Sequence, residues 1–264
     1  MNISIASYSF HGLTGAGMMD AFGYLESVKC RYGLDAADLW NGTLGPIEPE
    51  HLQKVKSALD EREMVVANYH VDGVHVWEDG PEARERNRRA ALDHLRAGAF
   101  LGAKTMRIDM GGAGDEFSAE QLEYVVKTYR EYAELAALHG FRVGPETHWG
   151  PSLNPAVQKA VYEAVDHPGY GILLHIGHWI GGPEGEDRGD KLAAGWACHT
   201  HLDARVTNTC LDEKIKLLVD AGYEGYWGVE HHSAQNEYLE VGCQLAAVRR
   251  ALRKLAAGGG NAAE

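Results

Sequence analysis

The chain has 264 residues, 45% hydrophobic and 24% charged, the composition of a globular protein with one sizeable core. Its 25 basic against 38 acidic residues leave a formal net charge of -13, a field that repels polyanions and anionic lipid surfaces and argues against nucleic acid and membrane partners. Cys30, Cys198, Cys210 and Cys243 show no Cys-X-X-Cys spacing, and MNISIASYSF lacks a basic region followed by a long apolar run, so a reducing compartment and a cytoplasmic protein are expected.

In chain order, short apolar segments predict strands at 3–8, 36–40, 65–70, 104–109, 142–147, 171–176, 196–201 and 225–230. Between and after them, helical periodicity predicts helices at 20–31, 49–62, 81–101, 118–139, 155–165, 191–195, 211–221 and 235–255, of which 191–195 is barely one turn. Pro81 followed by Glu82 suits a first helical turn, Ser118 has Gln121 three residues on, and Gly140 supplies a stop. From 118 to 139 the apolar positions Leu122, Val125, Val126, Tyr129, Tyr132, Ala133 and Ala136 recur at three and four, so one face packs inward. Eight strands alternating with helices, in a chain close to the roughly 250 residues typical of such folds, predict one (β/α)8 TIM barrel over 1–255. The tail AAGGGNAAE, 256–264, is expected to be flexible.

Reacting groups in such barrels sit at the C-terminal ends of the strands. Glu146, His175, His201 and Glu230 fall 29, 26 and 29 positions apart, each ending an apolar run, close to the 25 to 35 residues that one β/α unit occupies. Four potential ligands at the ends of four successive strands point to one shared metal site. Histidines are dense at these ends: His11, His70, His148, His175, His178, His201, His231 and His232 all lie at or just past one. His199 shares the side of the strand that carries His201 but lies deeper, where it would support a ligand rather than be one.

Several segments carry a resemblance to a known family: LGAKTMRIDMGG (101–112), GFRVGPETHWGPS (140–152), GILLHIGHW (171–179), CHTHLDAR (198–205) and GYEGYWGVEHH (222–232). Over 2–250 the chain resembles the sugar phosphate isomerase/epimerase group of the xylose-isomerase-like barrels. The resemblance implies one divalent ion held by Glu after strand five, Asp after strand six, His after strand seven and Glu after strand eight. Glu146, His201 and Glu230 match three of these positions, whereas the strand-six pattern, Asp-X-X-His or Asp-X-X-Asn in the family, reads His175-Ile-Gly-His178 here. A set of two carboxylates and two imidazoles favours manganese, zinc, iron or cobalt over magnesium.

The resemblance further implies isomerase or epimerase chemistry on a small-molecule carbohydrate. A divalent ion on a carbonyl and its neighbouring hydroxyl stabilises an enediolate while Glu146 and Glu230 exchange the proton. His148 is a candidate proton shuttle; His178, Arg205, Trp149 and His70 are candidate substrate contacts, with Trp77 and Trp179 as further candidates for the pocket wall. Two other readings stay open: a metal-dependent lyase eliminating a leaving group from a 3-oxo glycoside, and a non-catalytic binding or partner subunit. Phosphodiester cleavage, which a DNA-repair endonuclease performs on this barrel, is disfavoured by the acidic balance. The helix faces leave a homo-oligomer open.

Overall fold

A computed structural model describes residues 1–259. Eight strands, β1 (Ile3–Ala6), β2 (Ala36–Trp40), β3 (Val65–Trp77), β4 (Thr105–Gly111), β5 (Arg142–Gly144), β6 (Ile172–His175), β7 (Ala197–Leu202) and β8 (Trp227–Val229), form one parallel sheet in the order β5-β4-β3-β2-β1-β8-β7-β6. Isolated bridges from Val143 to Tyr170 and from Glu146 to Leu173 join β5 to β6. The result is a nearly closed (β/α)8 barrel, with the helices wrapped outside it.

Parallel strands buried on both faces carry near-continuous apolar sequence, and β4 and β7 are buried along their whole lengths. Long helices seal the outside. The helix Ala119–Leu138 starts in a Ser118/Gln121 capping box and buries Val125, Tyr129, Tyr132 and Ala136 against the barrel. Tyr129 also donates its hydroxyl to the Ile108 carbonyl at 2.6 Å, and Tyr24, on the helix Ala21–Glu26, does the same to Ile5 at 2.5 Å. These phenols pin helices to strands through carbonyls that would otherwise cost free energy if left unpaired.

Several segments depart from the sequence expectation, and three of them bear on packing. β1 ends at Ala6, and the chain turns at once into a 3-10 helix, Ser7–Phe10, which brings Tyr8 to the mouth. β3 runs on to Trp77 instead of stopping at His70, with a register shift between Val71 and His75 against β4. Gly73, at φ 76, supplies the left-handed residue that such an irregularity needs, and the bend carries Asp72 over the barrel.

The third departure is a full helix, Gly182–Ala193, where only a turn at 191–195 was expected. Its glycines read as helix-breaking, yet two of them are contact points. A Cβ on Gly189 would lie 2.4 Å from the Trp179 indole, and one on Gly185 would lie 2.2 Å from the Ile180 carbonyl oxygen. Close packing outweighs propensity here. The last helix, Glu237–Gly259, extends beyond the expected stop at 255, and 260–264 of the expected tail lie outside the described residues. No helix among the described residues is long and apolar enough to cross a membrane.

Candidate metal centre at the barrel mouth

Glu146, just past β5, His175, ending β6, His201, in β7, and Glu230, just past β8, converge at the mouth, each offering a ligand atom within 4.8 Å of the others. All four are buried. Glu146 Oε1 lies 2.9 Å from His201 Nδ1 and 3.1 Å from His175 Nδ1. Glu230 Oε2 stands 3.3 Å and 3.4 Å from the same two nitrogens and 3.0 Å from His232 Nε2. Parallel register produces the convergence: His175 pairs with His201, and His201 with Gly228, so side chains two strands apart meet at one level.

The donor set fits a divalent cation. Burial pushes the His175 ring down to about 4, so the imidazole is neutral at pH 7 and keeps a lone pair. Burial acts on His201 in the same direction, but Glu230, Glu146 and Asp38 reverse it and hold this ring well above its usual value. For Glu146 and Glu230 burial favours the neutral acid; His201 acts against it on both, joined by Arg107 at Glu146, and both carboxyls end well below their usual range. The pocket thus presents two ionised carboxylates, a neutral His175 ring and a protonated His201 ring whose Nδ1 proton an incoming cation would displace.

Beneath this quartet lies a second polar layer. Asp38, in the middle of β2, is fully buried; its Oδ2 accepts from His199 Nε2 at 2.6 Å and His201 Nε2 at 3.1 Å, and its Oδ1 accepts from Asn68 Nδ2 at 2.9 Å. Although burial favours its neutral form, the two imidazoles hold its carboxyl far below the usual range. Beside the quartet stands Arg107 on β4, 2.7 Å from Asp109 and 2.6 Å from Asp72, with its Nε 3.5 Å from Glu146 Oε2. Arg107 and Asp109 are two apart on one strand and face the same side.

The quartet opens into a cavity of about 260 Å³ lined by Tyr8, Trp40, His70, Asp72, Arg107, Glu146, His148, His175, His178, Glu230 and His232. His148 Nδ1 sits 2.9 Å from Asp109 Oδ2; burial opposes its protonation, but that hydrogen bond and the charge of Glu146 raise it to about 9. His178 stacks on His175, centroids 3.6 Å apart, and reaches Asp203 at 3.3 Å. His70 is buried with neither ring nitrogen hydrogen-bonded.

Other expected contacts are placed elsewhere. Arg205 donates to the Gly177 carbonyl and pairs with Glu186, away from the cavity lining. Trp149 donates to Asp109 and packs edge-on to His75, Trp179 donates to the buried Asp190, and Trp77 lies under Arg84. The aromatic wall is instead Tyr8 and Trp40. The sequence expectation passed over Asp38, Arg107 and Asp72. The available signal was charge inside an otherwise apolar strand, one residue in AADLW and two in TMRIDMG.

Comparison with known proteins agrees with this architecture. Residues 30–257 match the family described as xylose isomerase-like TIM barrel, and the chain belongs to that family. Among solved structures, a D-tagatose 3-epimerase-like protein superposes with a TM-score of 0.75 at 14% identity, covering 97% of this chain and all of the other, 100%. The 3-keto-D-glucoside 4-epimerase YcjR from E. coli gives 0.72 at 16% identity over 88% of this chain and 94% of its own. The protein described as the probable 3-DHS dehydratase AsbF of Bacillus anthracis gives 0.69 at 16% identity over 94% and 99%. At such identities the likeness speaks to the fold. No curated protein sequence matches the chain.

Proposed function

We propose that the protein is a divalent-metal-dependent isomerase or epimerase of a small sugar or keto-sugar, with Glu146, His175, His201 and Glu230 holding the ion. The observation that carries this reading is the convergence of two ionised carboxylates and two imidazoles in a buried cluster that opens into a cavity of about 260 Å³. When bound, the ion would supply positive charge where a substrate enediolate develops, and this nitrogen-containing set favours manganese, zinc, iron or cobalt over magnesium.

The remaining steps belong to the chain. Glu146 and Glu230 reach the cavity from β5 and β8, and each, being ionised, can take a proton from a carbon held between them and return it. His70, pushed down to about 4 by burial, is neutral and offers one N–H and one lone pair to a sugar hydroxyl. Tyr8 and Trp40 provide apolar ring faces for the C–H side of the sugar. His148 stands at the rim as the proton shuttle. Each cationic group at the lining already faces a carboxylate: Arg107 faces Asp72 and Asp109, His148 faces Asp109, and His232 faces Glu230. That pairing favours an uncharged substrate over a phosphorylated one.

Elemental analysis of purified wild type and His175→Ala tests the ion: near-stoichiometric transition metal in the wild type should fall sharply in the variant. Incubation with free ketoses and with 3-oxo glycosides in deuterated water, followed by mass spectrometry, tests the reaction. Isomerisation conserves the carbon skeleton with deuterium incorporated; release of an aglycone or of water instead would assign the lyase reaction, and no turnover with metal retained would assign a binding role.

A further inference from the structure

The two imidazoles of the metal quartet are held very differently. His201 has a carboxylate directly behind it: Asp38 Oδ2 is 3.1 Å from Nε2, on the opposite edge of the ring from Nδ1, which faces Glu146 and Glu230. His175 has nothing behind it; its Nε2 is buried without a hydrogen-bond partner. Asp38 is itself fixed on every side, by His199 at 2.6 Å, Asn68 at 2.9 Å and the Ser4 hydroxyl at 3.5 Å. Asn68 is in turn held by Thr105, which donates to its Oδ1 at 2.9 Å. All of these side chains are buried, and β1, β2, β3, β4 and β7 each contribute at least one.

We propose that Asp38 is the positioning residue of this metal centre: it fixes His201 as the Nε2–H tautomer and thereby presents Nδ1 as the permanent imidazole ligand, with His199 and Asn68 as the arms that keep Asp38 in place. This inference rests on the metal reading above. An ionised carboxylate only accepts hydrogen bonds, so each imidazole nitrogen facing Asp38 carries the proton. With the Nε2 proton of His201 committed to Asp38, Nδ1, which faces Glu146 at 2.9 Å and Glu230 at 3.3 Å, is the nitrogen that gives up its proton to an incoming ion and becomes the ligand. Asp38 also leaves the ligand ring more basic than an unsupported imidazole. His175 has no such partner behind it: Glu146 and Glu230 face its Nδ1, and its Nε2 is unpartnered.

Zinc affinity, measured by chelator competition on the full-length protein, reads this directly. In Asp38→Asn, which keeps the shape but removes the charge, affinity should fall about 10- to 100-fold while the circular dichroism spectrum stays that of the wild type. Asn68→Ala removes a donor from the same carboxylate but leaves the His201 acceptor, and its affinity should change less than about 5-fold, the change that a modest side-chain hydrogen bond of about 1 kcal/mol sets. Unchanged zinc affinity in Asp38→Asn, or an equal loss in both variants, overturns the proposal.

A variant that fails to fold does not close the question, because the tautomer is observable in the wild type. Nitrogen-15 correlation spectra of the histidine rings should show an exchange-protected Nε2–H on His201 in both metal-free and zinc-loaded protein, and an unprotonated Nδ1 in the loaded form. A His201 ring without that Nε2–H overturns the role of Asp38. Wild type that binds no zinc yet shows the Nε2–H defeats the metal reading while leaving the Asp38 clamp in place.

Discussion

Replacing Arg107 with methionine removes a guanidinium paired with the carboxylates beside the candidate metal-binding quartet. The Arg107 side chain is 3% exposed, and Asp109 and Glu146 are 4% exposed each, so its loss leaves two buried anions with only the His148 and His201 rings as cationic partners. Asp72, 38% exposed, is solvated enough to lose its partner cheaply. Breaking a buried pair by deleting one member costs about 3 to 5 kcal/mol, a large part of the roughly 5 to 15 kcal/mol that keeps a domain folded. With a urea dependence of about 3 kcal/mol per molar, the unfolding midpoint of metal-free Arg107→Met should fall by about 1 to 1.7 M relative to metal-free wild type. Arg107→Lys keeps the charge without the planar fork and should recover part of the loss. A fall of less than about 0.3 M, equivalent to about 1 kcal/mol, would show that Asp109 and Glu146 tolerate each other without the arginine and would refute the reasoning.

Two further outcomes follow from packing and burial. A Cβ on Gly228 would stand 2.5 Å from the Thr200 carbonyl oxygen, 2.9 Å from His201 Cδ2 and 3.0 Å from His199 Nε2. Gly228→Ala should therefore cost about 2 to 3 kcal/mol by overpacking and weaken zinc uptake at the same time, by melting and chelator titration. A stable variant with wild-type zinc affinity would contradict the placement of β8 against β7. Burial raises the Cys198 thiol to about 11 and a hydrogen bond to Glu26 raises the exposed Cys30, so fewer thiolates form at pH 8 than at an ordinary cysteine. Iodoacetamide at pH 8 should label exposed Cys243 first, Cys30 more slowly and Cys198 only on unfolding, as read by peptide mass spectrometry. Because the folded-state value of Cys198 lies above its unfolded value, its contribution to stability is complete below about pH 9 and is lost as the pH rises through about 11. Rapid labelling of Cys198 in native protein would mean that the lower end of the barrel opens.

Much of the barrel was legible because its signals are local. Each strand is a short apolar run, some of the helices carry a cap or stop and the one at Ala119–Leu138 a three-and-four pattern, and the β/α spacing sets how often a strand end recurs. The quartet could be picked out on the same grounds, since a carboxylate or imidazole closing an apolar run is an expense the chain bears only for a purpose. Local signals failed where a residue's job lay outside its own element. Glycines that read as helix breakers in Gly182–Ala193 make room for Trp179 and the Ile180 carbonyl, and nothing in their neighbourhood announces that need.

The sequence by itself determined that eight β/α units follow one another and that side chains able to hold a metal end four of them. Only the tertiary structure decided who meets whom inside. Asp38 and His199 are 161 residues apart and touch because strand register and barrel closure bring β2 and β7 to one level. Arg205 binds the Gly177 carbonyl, and Tyr8 and Trp40 line the cavity in place of Trp149, for the same reason. A strand specifies which side chains point inward through its two-residue period, but their partners across the barrel depend on the tilt and stagger of all eight strands together, a property that no single segment encodes.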